Sequence, residues 1–131
     1  MSTSPTPALT AIDRIGQIAI NVHDTSRAVA FYRDTLGLQL LFIAGHLAFF
    51  DCGGVRLMLS PPESPEFDHP ASILYFKVSD IHSAFARLVH NNVQTEAEPH
   101  LVARMPDHDL WLAEFRDSEG NIMALMSEVK H

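Results

Sequence analysis

The chain has 131 residues, 47% of them hydrophobic and 19% charged, with a formal net charge of −7 from 9 basic and 16 acidic side chains. That length fits one domain, or two small modules sharing a core, and needs no staples, because about 65–70% of the unfolded surface is buried at this size. The acidic balance and the lack of a basic stripe argue against a nucleic-acid partner, and no apolar run approaches the ~20 residues of a membrane span.

Met1 to Thr10 is rich in Ser, Thr and Pro and lacks a basic segment followed by an apolar run. It reads as a loose tail, covering residues 1–12, and not as a signal peptide. Ile15 to Val22 alternates as a strand, with Ile18, Ile20 and Val22 on one side and Gln17, Ala19 and Asn21 on the other. Asp24 and Thr25 offer an N-cap. Ala28, Val29, Phe31, Tyr32 and Leu36 then form a helical stripe that Gly37 stops. Leu38 to Ala44 and His46 to Cys52 read as strands around Gly45, and Gly53-Gly54 turns the chain into a further strand, Val55 to Ser60. Residues 61–70 hold four prolines, which suit neither a ladder strand nor a helix interior, so this segment is the linker. Ser72 to Val78 is a strand and Asp80 caps a helix whose stripe is Ile81, Ala84, Phe85, Leu88 and Val89. Asn91-Asn92 ends that helix. Strands follow at His100 to Met105, Leu110 to Phe115 and Ile122 to Ser127, with a tight turn at Asp117 to Asn121 that calls for positive φ at Gly120.

The second half repeats the first. Val22, Asp24 and Ala30 recur 56 residues later as Val78, Asp80 and Ala86. Each unit runs strand, capped helix, three strands. This predicts an α+β fold of two tandem βαβββ modules, about 13–60 and 71–128, forming a cleft-shaped mixed sheet. Cys52 is the single cysteine, which precludes an intramolecular disulfide and fits a reducing, cytoplasmic setting.

Two segments carry a family resemblance. Phe31-Tyr32-Arg33-Asp34-Thr35-Leu36-Gly37-Leu38 and Phe115-Arg116-Asp117-Ser118-Glu119-Gly120-Asn121 resemble hallmark stretches of the vicinal oxygen chelate superfamily, which includes glyoxalase I, extradiol dioxygenases and bleomycin-resistance proteins. The resemblance covers about Ile15 to Glu128. It implies the fold, and a homodimer for a chain of this length. It does not settle activity, since this fold hosts many. In metal-dependent members the ligands come from the first and last strands of each module. By position these are Gln17, Met58, Ile73 and Ala124. Only Gln17 carries a donor for a hard divalent cation, so no metal cofactor is expected at the family positions.

Eight histidines leave room for a rebuilt site. His23 and His69 read as surface or linker residues, and His82 and His90 as one solvated helix face. His46, His100 and Glu114 are the candidates for a displaced divalent-metal or acid–base site; the competing reading is unconnected rim and surface groups. For the cleft lining, alternation selects Arg56, Met58 and Ser60 in the first module and Ile73, Tyr75 and Lys77 in the second. Ala124 and Met126 join them, with Trp111, Phe49 and Phe50 as further contributors. Gln17, Arg56, Met58, Ile73, Tyr75, Trp111 and Ala124 thus make the expected ligand-binding set for a small organic molecule. The bland alternative is that they fill the cleft as core. Arg56 and Lys77 are suited to an anionic ligand, unless Arg56 pairs with Asp51 or Glu114. The readings in competition are a metal-free binding protein, a lyase, isomerase or dioxygenase with a displaced metal, and a metal-free enzyme using Glu114 or a histidine.

Overall fold

The computed structural model describes residues 11–131, so Met1 to Thr10 of the expected tail lie outside the described residues. The first module comprises β1 (Gln17–Asn21), α1 (Thr25–Ala30), β2 (Gln39–Ala44), β3 (Leu47–Cys52) and β4 (Val55–Ser60). The second comprises β5 (Tyr75–Lys77), α2 (Ile81–His90), β6 (His100–Arg104), β7 (His108–Arg116) and β8 (Ile122–Lys130). Two four-stranded mixed sheets result, in the orders β1-β4-β3-β2 and β5-β8-β7-β6. The architecture is the expected α+β pair of modules.

The repeat extends to register. Parallel pairing sets Ala19 beside Met58 in the first sheet and Tyr75 beside Ala124 in the second. Ala19 and Tyr75 are 56 residues apart, the same offset the sequence shows.

Both helices start as their capping residues dictate. Asp24 accepts from the Arg27 amide and Asp80 from the Ser83 amide, each satisfying one orphan N–H of a first turn. The first helix departs from expectation. It is α-helical only to Ala30, and Phe31–Thr35 widens into a π-helical turn closed by Leu36 N–H donating to the Phe31 carbonyl. Gly37 follows at φ +75°. In the second module, β7 begins at His108 and β8 runs to Lys130, so both strands extend beyond the expected Leu110–Phe115 and Ile122–Ser127.

Each sheet buries one face against its helix, and the two buried faces merge into one core. Ile20, Tyr32, Phe50 and Leu59 from the first module join Leu88, Phe115, Met123 and Leu125 from the second. Continuous apolar packing of this kind joins the two modules through one core. A buried polar link crosses the same boundary. Tyr32 Oη donates to Asp117 Oδ2 at 2.7 Å. Asp117 Oδ1 also accepts from the Glu119 and Asn121 amides, at 2.9 and 2.8 Å, which shapes the β7–β8 turn. The two hallmark segments therefore touch through one hydrogen bond across 85 positions of sequence. Among the described residues no helix is long and apolar enough to cross a membrane.

Candidate functional site

The other face of each sheet is open, and most of the expected ligand-binding residues lie on these two faces. In the first sheet, Gln17, Arg56, Asp51 and Gln39 form one cross-strand row. Ala19, Met58, Phe49 and Phe42 form the next. The polar contacts tie the first row together. Arg56 Nε donates to Gln17 Oε1 at 2.8 Å, and Gln17 Nε2 lies 3.7 Å from Met58 Sδ. The Arg56 guanidinium sits 5.4 Å from the centre of the Phe49 ring, within cation–π range. Phe42 stacks on Phe49 with ring centres 4.4 Å apart and an interplanar angle of 24°. Arg56 forms no ion pair among the described residues, with neither Asp51 nor Glu114.

In the second sheet, Tyr75, Ala124 and Glu114 form a row across β5, β8 and β7. Lys77 is not a free cation. Its Nζ meets Glu128 Oε1 at 2.8 Å, and His108 Nε2 meets the other oxygen of Glu128 at 3.1 Å. The hydrogen bond from Lys77 holds the Glu128 carboxyl below the ordinary carboxylate range.

Four expectations are corrected. Trp111 lies on the helix-facing side of its sheet, packed against the core and edge-on to His82 with ring centres 5.6 Å apart. Alternation requires this, because Trp111 and Glu114 are three residues apart and so face opposite ways. Phe50 is likewise fully buried, and only Phe49 reaches the open face. Ile73 precedes β5, exposed, and lines a cavity at the seam between modules. His46 does not approach His100 and Glu114. It sits in the β2–β3 turn beside α1, where Thr25 Oγ1 donates to its carbonyl at 2.9 Å. His100 Nε2 does come within 3.8 Å of Glu114 Oε1. Among the described residues no three His, Cys, Asp or Glu side chains are placed to hold one metal ion.

The cleft residues do not enclose one chamber. A cavity of about 560 Å³ lies at the seam and includes Ile73, and one of about 340 Å³ beside the linker includes Met58. Gln17, Arg56, Tyr75 and Ala124 line neither.

At the seam His23 is solvent-exposed, as expected, but it is not isolated. His23 Nε2 meets Asp68 Oδ1 at 2.9 Å and His23 Nδ1 meets Glu119 Oε1 at 3.1 Å. The His23 and Asp24 amides also donate to the Glu119 carboxylate, at 2.9 and 3.1 Å. Hydrogen bonds that Asp68 and then Glu119 accept from the imidazole, with their negative charge, raise the His23 pKa above its ordinary value. The cluster joins the β1–α1 turn, the linker and the β7–β8 turn. Separations of 45 and 96 residues left no local signal for it. Phe42 was also missed. Its only trace is the hairpin around Gly45, whose register places Phe42 opposite Phe49.

Comparison with known proteins is consistent with this geometry. Residues 14–125 match the family model described as the Glyoxalase/Bleomycin resistance protein/Dioxygenase superfamily. The chain is 29% identical to the uncharacterized protein YraH of Bacillus subtilis, over 83% of this chain and 94% of that one. Its fold resembles a virulence protein from Salmonella typhimurium, with a TM-score of 0.74, 20% identity, and coverage of 92% and 100% of the two chains. It also resembles a lactoylglutathione lyase from Agrobacterium tumefaciens, with a TM-score of 0.69, 23% identity, and coverage of 90% and 96%. At these identities the solved structures speak to fold alone.

Proposed function

The chain belongs to the Glyoxalase/Bleomycin resistance protein/Dioxygenase superfamily, and from that premise we propose that it is a cytoplasmic homodimer that binds a small organic molecule without the family's metal. The observation that carries this is the chemistry of the four family ligand positions. Gln17 offers an amide already engaged by Arg56 and Met58. Met58 offers a thioether, and Ile73 and Ala124 offer only hydrocarbon. A hard divalent cation needs carboxylate, imidazole or carbonyl oxygen donors, and this set does not fit one. What remains is an apolar, aromatic surface with a few polar groups, the usual composition of an organic-ligand site.

The dimer is supported by what the open faces expose. Phe42 is 48% and Tyr75 52% exposed, with Leu41 and Ile43 beside Phe42 on the edge strand β2. Exposed apolar surface of this kind is covered in a stable soluble protein, and a second copy would also close each open face into a chamber.

Two measurements test the proposal. Elemental analysis of untagged protein, expressed with Mn, Fe, Co, Ni and Zn available, is expected to give far less than one metal per chain. Near-stoichiometric metal would overturn it and point to a lyase or dioxygenase built on His100 and Glu114. A thermal-shift screen of organic compounds is expected to find a stabilising class; a ligand at one hundred times its dissociation constant adds about 2.7 kcal/mol.

A further inference from the structure

We propose that the open face of the first sheet is a receptor for a monocarboxylate with a flat apolar body, the acid group held by Arg56 and the body lying along Phe42 and Met58, with the buried Phe49 ring supporting both Phe42 and Arg56. The inference rests on the ligand-binding reading above and names the class of ligand.

The guanidinium is held from one side only. Its Nε is committed to Gln17 at 2.8 Å, and its plane is supported by the Phe49 ring 5.4 Å away. Neither Nη group makes a hydrogen bond to any described residue. An arginine fixed through Nε and ring contact presents its two terminal nitrogens as a preorganised fork, which matches the two oxygens of a carboxylate. Preorganisation lowers the entropy lost when a ligand docks.

The surroundings narrow the class further. Across the strand pair, Asp51 faces Arg56 without forming an ion pair with it. Among the described residues neither Arg56 nor Asp51 has an ion-pair partner. The Asp51 carboxylate and the chain charge of −7 oppose any anion, and a phosphate dianion more than a singly charged acid, so a monocarboxylate is the anion Arg56 takes at least cost. The next row along the strands is Ala19, Met58, Phe49 and Phe42, apolar throughout, with the two rings stacked at 4.4 Å. A flat apolar body laid there buries hydrocarbon against the exposed Phe42 ring and the Met58 thioether, contacts with favourable geometry for aromatic ligands.

The test uses 2-naphthoate and its neutral isostere 2-naphthamide, titrated into the full chain and followed by ligand fluorescence and calorimetry. Saturable naphthoate binding at least tenfold tighter than naphthamide is expected. Arg56→Gln should remove that preference while leaving the melting temperature unchanged, because Arg56 is exposed. Arg87→Gln, which alters an exposed helix arginine, should leave the preference intact. Phe49→Leu should weaken the binding of both compounds. Equal binding of acid and amide, or an unchanged preference in Arg56→Gln, would overturn the inference while the broader ligand-binding reading stands. Failure of both compounds to bind overturns the inference as well, and the broader reading is then judged by the thermal-shift screen alone.

Discussion

Removing one oxygen atom tests the claim that Tyr32 and Asp117 bolt the two modules together. In Tyr32→Phe the ring stays in the core, where Tyr32 is 0% exposed, and its volume barely changes. What is lost is the 2.7 Å donation to Asp117 Oδ2. Asp117 keeps three donors, the Glu119 and Asn121 amides and Asn121 Nδ2 at 3.1 Å. It is only 6% exposed, so water cannot readily replace the phenol. A hydrogen bond to a charged group contributes about 1.5–3 kcal/mol, more than a neutral pair. The variant should therefore lose about 1.5–3 kcal/mol in urea unfolding with an unchanged m-value, and its melting temperature should fall by roughly 5–12 °C. A double-mutant cycle with Asp117→Asn should return a coupling of about 0.5–3 kcal/mol. Unfolding should stay a single transition, since the apolar core still spans both modules. A loss below about 0.5 kcal/mol, the level of an ordinary surface change, would show that the bond does not hold the modules.

Three further outcomes follow from the geometry. Gly120 has φ +80° with open space where a Cβ would go, so Gly120→Ala should cost about 1–2 kcal/mol of unfolding free energy from backbone conformation alone, and Gly120→Asn less, because asparagine tolerates that region. A raised His23 pKa means its clasp on Asp68 and Glu119 stabilises fully below the unfolded imidazole's range and is lost as pH rises through the folded value. Arg116, itself paired with Glu96, together with His69 and Asp24, are further charged or titratable groups at this seam. The stability gap between wild type and His23→Gln, measured by urea unfolding, should be widest at about pH 5 and close toward about pH 9; an imidazole titrating at or below its ordinary 6.5 by NMR would contradict this. Phe42→Glu replaces the exposed stacked ring of the first sheet by a charge; if the proposed dimer forms through this face, sedimentation velocity should give a dimer for the wild-type chain and a monomer for the variant.

Local patterns carried the architecture. Alternation, the caps at Asp24 and Asp80, the proline-rich linker and the 56-residue offset were enough to predict two βαβββ modules, because each rests on neighbours within a few residues. Alternation put Arg56 and Met58 on one face of β4, and the register sets Gln17 directly beside Arg56, since strand partners share a face. It erred where a residue was assigned by type instead of parity. Trp111 looks like a ligand-binding aromatic but has the core-facing parity of Ala113 and Phe115.

The remaining features needed the assembled chain. The π-helical turn at Phe31–Thr35 reads in sequence as ordinary helix. Which cations are free was also beyond local inspection. Lys77 is neutralised by Glu128, 51 residues away, whereas Arg56 meets an amide and an aromatic ring. The His23 clasp and the Tyr32–Asp117 bond depend on contacts between segments that only the packing of one module on the other brings together. Sequence determines which groups a strand or helix can present, because side-chain direction follows backbone period. Which of those groups meet is decided by tertiary packing, which sets distances between residues that carry no local information about one another.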